Sequence, residues 1–415
     1  MTARDTFSSL RHRNFRLFFA GQGISQVGNW LTLIAQSLLV LKLTDSGVAV
    51  GLLQAFQFGP VLLFGAWAGL VADRSDKRKL LLWVQVFAMA QSFALGALAF
   101  QSHPPVWAVY AIASFGGLAT AFDNPARRSF VVEMVPEDEV TNAVSMNSAI
   151  MTSSRIVGPA LAGFLITTVG FGWTFWVDGI SYLAVLYGLW RMDPTQLRRP
   201  DVQPRGKGQV REGLRYAWTV PELRVPLLLM AVVGTFSFNF NTVLPLFVKR
   251  DLGASDLVFS FLLSSVSVGS LTAALVAARR TKIDVRLVAV TSMAFGAAMF
   301  ALALAPNLAI AFPLGTVMGF ASISFMTAST AIVQIAAKPS MRGRVLALQA
   351  IVFLGSTPIG GPIVGYISQH FGSRYGIGLG AVAAIGAGAV GLLTVRRTRA
   401  RVVDDLPVDI PAAAG

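Results

Sequence analysis

The chain of 415 residues is 54% hydrophobic and only 13% charged, with a formal net charge of +14 and a mean hydropathy of +0.63. A soluble domain carries about 25% charged residues, so this composition cannot cover a water-facing surface. Cysteine is absent and His12, His103 and His370 lie near helix ends or loops, which leaves no disulfide framework, no thiolate chemistry and no metal-ligand spacing.

A bilayer-crossing helix needs about 20 mainly apolar residues. Residues 1–14 read as a basic cytoplasmic N-terminus. Spans are then predicted over 15–41, 48–72, 79–101, 105–132, 137–168 and 172–190, and after a gap over 225–248, 255–278, 285–305, 308–336, 343–371 and 374–395. These runs are apolar on all sides, unlike the alternating segments of a β-barrel. The first is too long for a signal-peptide core and lacks a small-residue cleavage site, so it is expected to remain as an anchor.

If the N-terminus is cytoplasmic, 29 of the 34 Lys and Arg fall on that side, Lys42, Lys249, Arg250 and Arg374 on the other, and Arg155 inside a helix. This bias places both termini in the cytoplasm. The basic excess is a topology signal that also favours anionic lipid headgroups, and nothing in it supports nucleic-acid binding.

The chain reads as a duplication. At an offset of 203, Gly116 falls on Gly319 and Gly158-Pro159 on Gly361-Pro362; nearer the start, Leu70-Val71-Ala72-Asp73-Arg74 falls on Leu275-Val276-Ala277-Ala278-Arg279 at 205. Six spans per half start both copies on the same side, giving a parallel repeat about an axis along the membrane normal. The predicted fold is therefore an all-α membrane protein of twelve transmembrane helices in two six-helix bundles, 15–190 and 225–396, related by a pseudo-two-fold axis. The cytoplasmic linker, 191–224, holds Arg198-Arg199-Pro200 and Pro204-Arg205-Gly206-Lys207-Gly208, then a short amphipathic helix over Gln209 to Val220 lying on the membrane surface. Residues 397–415 are expected to be disordered.

Two motifs stand out. Gly69-Leu70-Val71-Ala72-Asp73-Arg74-Ser75-Asp76-Lys77-Arg78-Lys79 places a tight charged turn between two spans. Ser153-Ser154-Arg155-Ile156-Val157-Gly158-Pro159-Ala160-Leu161-Ala162-Gly163 interrupts a span with proline between small residues. The first resembles the loop between helices two and three of the major facilitator superfamily, with Asp76 where the pattern has its second glycine. The second resembles that superfamily's helix-five exporter signature, carried by Gly158, Pro159 and Gly163. Arg13-Asn14-Phe15-Arg16-Leu17-Phe18, Asp123-Asn124-Pro125-Ala126-Arg127-Arg128 and Val140-Thr141-Asn142-Ala143-Val144 resemble the enterobactin exporter-like and macrolide efflux-like branch. A sister branch of proton antiporters carries an arginine in helix four; Ile112 or Ala113 stands there.

The resemblance implies a secondary transporter and not an enzyme, moving an amphipathic drug, siderophore or other metabolite outward through the bacterial inner membrane, by proton antiport and without a cofactor, as a monomer. Uptake, lipid handling or a non-transporting receptor are the alternatives. No Gly-x-x-x-x-Gly-Lys-Ser/Thr loop supports an ATP-driven pump.

Candidate roles follow. Gly69, Asp73, Arg74, Arg78, Asp123 and Arg127 are expected to form a cytoplasmic gate that meets the start of helix eleven around Gly343; an ordinary i,i+4 pair is the plainer reading of Asp123 and Arg127. Arg155 lies near mid-membrane, where a charge usually faces a cavity or a partner. Asp178 or Asp123 is its expected partner, and these three are the proton-coupling candidates. Gln22, Gln26 and Asn29 share one face of helix one and are expected to line the cavity or to bond within the bundle. Gln54, Gln57, Phe236, Asn239, Asn241 and Gln349, with Phe238 and Phe240, complete the candidate walls. Arg155 aligns with Pro358 and Asp73 with Ala278, so any proton carrier is expected in the first half.

Overall fold

The computed structural model describes residues 7–198, 209–277, 280 and 283–404. The linker motifs from Arg199 to Gly208, the aligned pair Ala278 and Arg279, and the tail beyond Asp404 lie outside the described residues.

Twelve long helices occur among them, and no strand. The first half holds α1 (Arg13–Thr44), α2 (Gly47–Arg74), α3 (Lys77–Ala99), α4 (Val106–Glu133), α5 (Val140–Thr168) and α6 (Gly170–Arg191). The second holds α7 (Pro221–Phe236, resuming as Phe240–Leu246), α8 (Asp256–Ala277), α9 (Val285–Ala303), α10 (Leu308–Ala336), α11 (Pro339–His370) and α12 (Ser373–Asp404). Eleven helices are long and apolar enough to cross a membrane. The exception is α6, whose glycines, tryptophans and Asp178 lower its hydropathy, yet it packs against α1 and α3.

Polar side chains start several helices by accepting a free N–H of the first turn. Ser46 accepts from Ala49 N–H at 3.3 Å, Asp76 from Lys79 at 3.1 Å, Asp284 from Leu287 at 2.8 Å and Asn307 from Ile310 at 3.1 Å. Asp76, the departure from the motif glycine, thus caps α3.

Two expectations need correction, those for the seventh and twelfth spans. The seventh span is broken at Ser237–Asn239: Asn239 Nδ2 donates to the Thr235 carbonyl at 2.7 Å, taking the acceptor that its own backbone N–H would use in a continuous helix, and Ser237 Oγ donates to the Gly380 carbonyl at 2.8 Å. The linker helix expected over Gln209 to Val220 is present as Gln209–Thr219, and it docks on the start of α11, where Arg344 pairs with Glu212 at 2.7 Å and Lys338 N–H donates to Tyr216 Oη at 3.1 Å. Helix α12 runs on to Asp404, because 395–404 holds no glycine or proline to stop it.

The halves pair their helices alike. In the first, α1 packs on α5 and α6, α2 on α4, and α3 on α4 and α6; in the second, α7 packs on α11 and α12, α8 on α10, and α9 on α10 and α12. The seams between halves are α2 against α11 and α5 against α8.

One end of the molecule is closed and the other is divided. The largest apolar core draws Leu39, Val50, Ala162 and Phe175 together with Val243, Phe247, Phe259 and Val364, so it spans both halves where α1 ends and α2 begins. At the opposite end each half has its own core, one around Phe15, Phe18 and Phe130 and one around Leu223, Val333 and Val345. Every hydrogen bond or ion pair joining the halves among described residues lies on the closed side. Gly47 N–H donates to Gln369 Oε1 at 2.8 Å, Arg250 pairs with Asp45 at 3.4 Å, and Ser264 Oγ donates to the Ile156 carbonyl at 2.9 Å. Glycine makes this closure possible: a Cβ at Gly51 would meet the backbone of Gly361, and one at Gly365 that of Gly47.

Candidate transport path

Two polar centres are sealed inside the first bundle. In one, Asp123 on α4 forms an i,i+4 ion pair with Arg127, and Gln85 Nε2 on α3 donates to Asp123 Oδ1 at 2.8 Å. Gln26 on α1 places its side-chain amide beside the Arg127 guanidinium and 3.2 Å from Gln22 Oε1. All five side chains are buried. The centre gathers Gln22 and Gln26, expected on the cavity wall, and Asp123 and Arg127, expected at the gate.

In the other centre, Asp178 on α6 is fully buried and receives hydroxyl hydrogen bonds from Thr32 at 2.5 Å, Ser92 at 2.7 Å and Ser181 at 3.4 Å. Gly28 lets α1 approach, because a Cβ there would strike the Asp178 carboxylate. One turn on, Tyr182 Oη donates to Asn29 Oδ1 at 2.8 Å. The spacing of Gln22, Gln26 and Asn29 signalled a polar face; nothing in a single sequence linked Thr32 and Ser92 to Asp178.

Neither carboxylate pairs with Arg155. It lies at the middle of α5, exposed, with no hydrogen-bond or ion-pair partner among the described residues. Position along a helix says nothing of direction around its axis.

At the divided end, Arg78 Nε donates to the Leu189 carbonyl at 2.6 Å and its Nη2 to Trp190 at 2.9 Å, placing a cation on the negative end of α6. Lys77 pairs with buried Glu133 at 2.5 Å. Arg74 is exposed and Asp73 half-buried. Gly69 was expected to permit close approach to α11, yet a Cβ at Gly69 or at Gly343 would meet nothing within 4 Å.

The remaining wall candidates divide. Gln54 is buried and donates to Ser37 Oγ at 3.3 Å; Gln57 is half-buried, with Oε1 unpartnered. Gln349 is buried and donates to Ser329 Oγ at 3.0 Å. Phe236 and Asn239 border a small cavity inside the second bundle with Met299 and Met318, and the Asn239 carbonyl oxygen has no partner. Asn241 is half-buried; Phe238 packs tilted, and Phe240 edge-on, against Phe295. So Gln22, Gln26, Gln54, Asn239 and Gln349 belong to bundle interiors, because an amide in apolar surroundings is stabilised by a fixed partner. In the helix-five motif, Gly158 makes room for Trp30 on α1 and Gly163 for Ser260 and Leu257 on α8, so these glycines are sites of close helix contact.

Residues 4–409 match the family model of the transmembrane secretion effectors. The chain is 24% identical over 362 residues to the staphyloferrin A transporter of Staphylococcus aureus, covering 86% of this chain and 90% of that one. It is 23% identical over 381 residues to macrolide efflux protein A of Streptococcus pyogenes (88% and 92% covered) and 24% over 359 residues to the multidrug efflux pump Tap of Mycolicibacterium fortuitum (83% and 87%). Among solved structures, a bacterial homologue of the human lysosomal transporter Spinster, inward-facing and occupied, superposes with a TM-score of 0.74 at 16% identity, covering 92% of this chain and 96% of that one. The peptide transporter POT in complex with sulfate gives 0.77 at 12% identity, covering 92% and 94%. The fold and the near full-length family match agree: the chain belongs to the transmembrane secretion effector family of major facilitator transporters.

Proposed function

We propose that this protein exports an amphipathic organic solute across the bacterial cytoplasmic membrane by alternating access, with proton entry as the driving force. The observation that carries the reading is the uneven seam: one core shared by both halves at one end and two separate cores at the other. Two bundles about a pseudo-two-fold axis can rock between that arrangement and its converse. With 29 of 34 basic residues assigned to the cytoplasm, the divided end faces inward and both termini are cytoplasmic. The charged turn at Asp73 to Arg78 then closes the path on the inner side in the other state. Efflux over uptake is favoured by the helix-five motif and by relatives named for macrolide and multidrug efflux. Asp178 is the favoured proton carrier, because its partners are hydroxyls, which can turn to donate or accept as the carboxyl gains or loses a proton. The protein acts as a monomer among anionic lipids.

Everted vesicles with an acidic interior, offered a panel of macrolides, siderophores and lipophilic dyes, test this. Accumulation that nigericin abolishes is expected. Accumulation only in right-side-out vesicles would reverse the direction, and none in either would remove the exporter reading.

A further inference from the structure

We propose that Arg155 is an anion-binding group at the ceiling of the transport path, and that the solute is an amphiphile carrying a carboxylate. The inference deepens the exporter reading and rests on it for the path. Three observations meet here. First, Arg155 is at the middle of a 29-residue helix, exposed and without a partner among the described residues. Second, it faces inward. At about 100° per residue, its side of α5 falls between Gly158, which meets Trp30 of α1, and Gly163, which meets Leu257 and Ser260 of α8. It points opposite Phe164, an exposed apolar residue suited to lipid. The next carbonyl, that of Ile156, is taken by Ser264 in the seam, so Arg155 lies directly beneath the closure. Third, no carboxylate buried within the first bundle is left to answer it. Asp123 is held by Arg127 and Gln85, Glu133 by Lys77, and Asp178 by three hydroxyls, all buried.

A lipophilic cation reaching Arg155 would find a like charge and no buried carboxylate of the first bundle free to offset it. A carboxylate would find a planar guanidinium able to bind both its oxygens, in surroundings where an unpaired cation is costly. The apolar body of such a solute would lie below, along the divided end.

Fluorescein and rhodamine 6G share a ring system and differ in charge, so they make a matched probe pair. Fluorescence anisotropy on the purified protein in zwitterionic nanodiscs should show saturable fluorescein binding. Arg155→Gln should weaken it about ten-fold or more, as the loss of a charged hydrogen bond implies, and Arg155→Lys should retain part of it; rhodamine 6G binding should not fall in either variant. Unaltered fluorescein affinity in Arg155→Gln, or no saturable binding by the wild type, overturns the inference. Outward rhodamine 6G transport without fluorescein binding would sink the anion site and leave the exporter standing. Fluorescein binding through Arg155 with no flux of any solute would do the reverse.

Discussion

Asp123, Arg127, Glu133 and Asp178 are all buried inside the first bundle, together with Gln22, Gln26, Gln36, Gln54 and Gln85. Among the described residues of the second, no buried side chain is charged; the polar ones are serines, threonines, Asn239 and Gln349. Many of these hydroxyls bond back to a carbonyl of their own helix, as Ser267 does to Leu263 at 3.0 Å and Thr291 to Leu287 at 2.8 Å. Two bundles with the same helix pairing therefore bury different chemistry. The first carries groups whose charge can change, and the second buries only neutral polar groups. The proposed cycle assigns protons to the first bundle and mechanical closure to both.

The sharpest way to break this contrast is Asp178→Asn. The amide keeps the shape and can still meet Thr32, Ser92 and Ser181, so folding should survive. Accumulation driven by a pH gradient should fall by at least about a hundred-fold, since a step that requires the proton is removed outright, while solute exchange without a gradient persists. Full gradient-driven transport would move the proton elsewhere. Next is Arg127→Leu, which strands Asp123 in the interior. Breaking a buried pair from one side costs about 3–5 kcal/mol, which should lower the melting temperature in detergent strongly. The double variant Asp123→Asn, Arg127→Gln should recover much of it; equal losses in both would mean that volume, not charge, matters there. In the second bundle, Gln349→Leu removes a neutral hydrogen bond and should cost only about 0.5–1.5 kcal/mol. A loss as large as that of Arg127→Leu would erase the distinction between the bundles.

Helix number, order and most boundaries were legible because twelve apolar runs separated by charged turns admit few other readings. The like helix pairing of the halves agrees with a repeat, but the glycine contacts do not keep the register of the sequence alignment. Gly117 makes room for the Gln57 carbonyl and Gly319 for that of Val266; Gly158 makes room for Trp30 and Gly360 for the Thr235 carbonyl. Matched by contact, these helices correspond at an offset of 202, one residue from the Gly-Pro alignment. Gly163 against Leu257 corresponds in the same way to Gly365 against Val48. A glycine's identity is visible in a sequence, but which neighbour it admits is set by azimuth. The same limit hid the Thr32 and Ser92 hydrogen bonds to Asp178 and left Arg155 with expected partners it does not have. The break in α7 was missed because no proline or glycine marks it; a single asparagine amide competing for a carbonyl suffices.

The smallest effect on stability is expected at the latch, where it tests whether the halves are balanced. Asp45 takes a left-handed backbone conformation at φ 43°, which presents both its carboxylate and its carbonyl to Arg250 of the other half. The Asp45 side chain is 76% exposed, and exposed pairs contribute about 0–1 kcal/mol, so Asp45→Ala should barely move the melting temperature. Between two states of similar free energy, however, about 1 kcal/mol changes the ratio about five-fold. The natural chain has no cysteine, so spin labels at Thr168→Cys and Ser255→Cys report on this end without background. In Asp45→Ala the short-distance population between them should shrink several-fold at low salt. In the wild type, raising the salt should shift it the same way by screening the pair. If neither changes the distribution, the apolar core and the glycine seam hold that end closed without the ion pair.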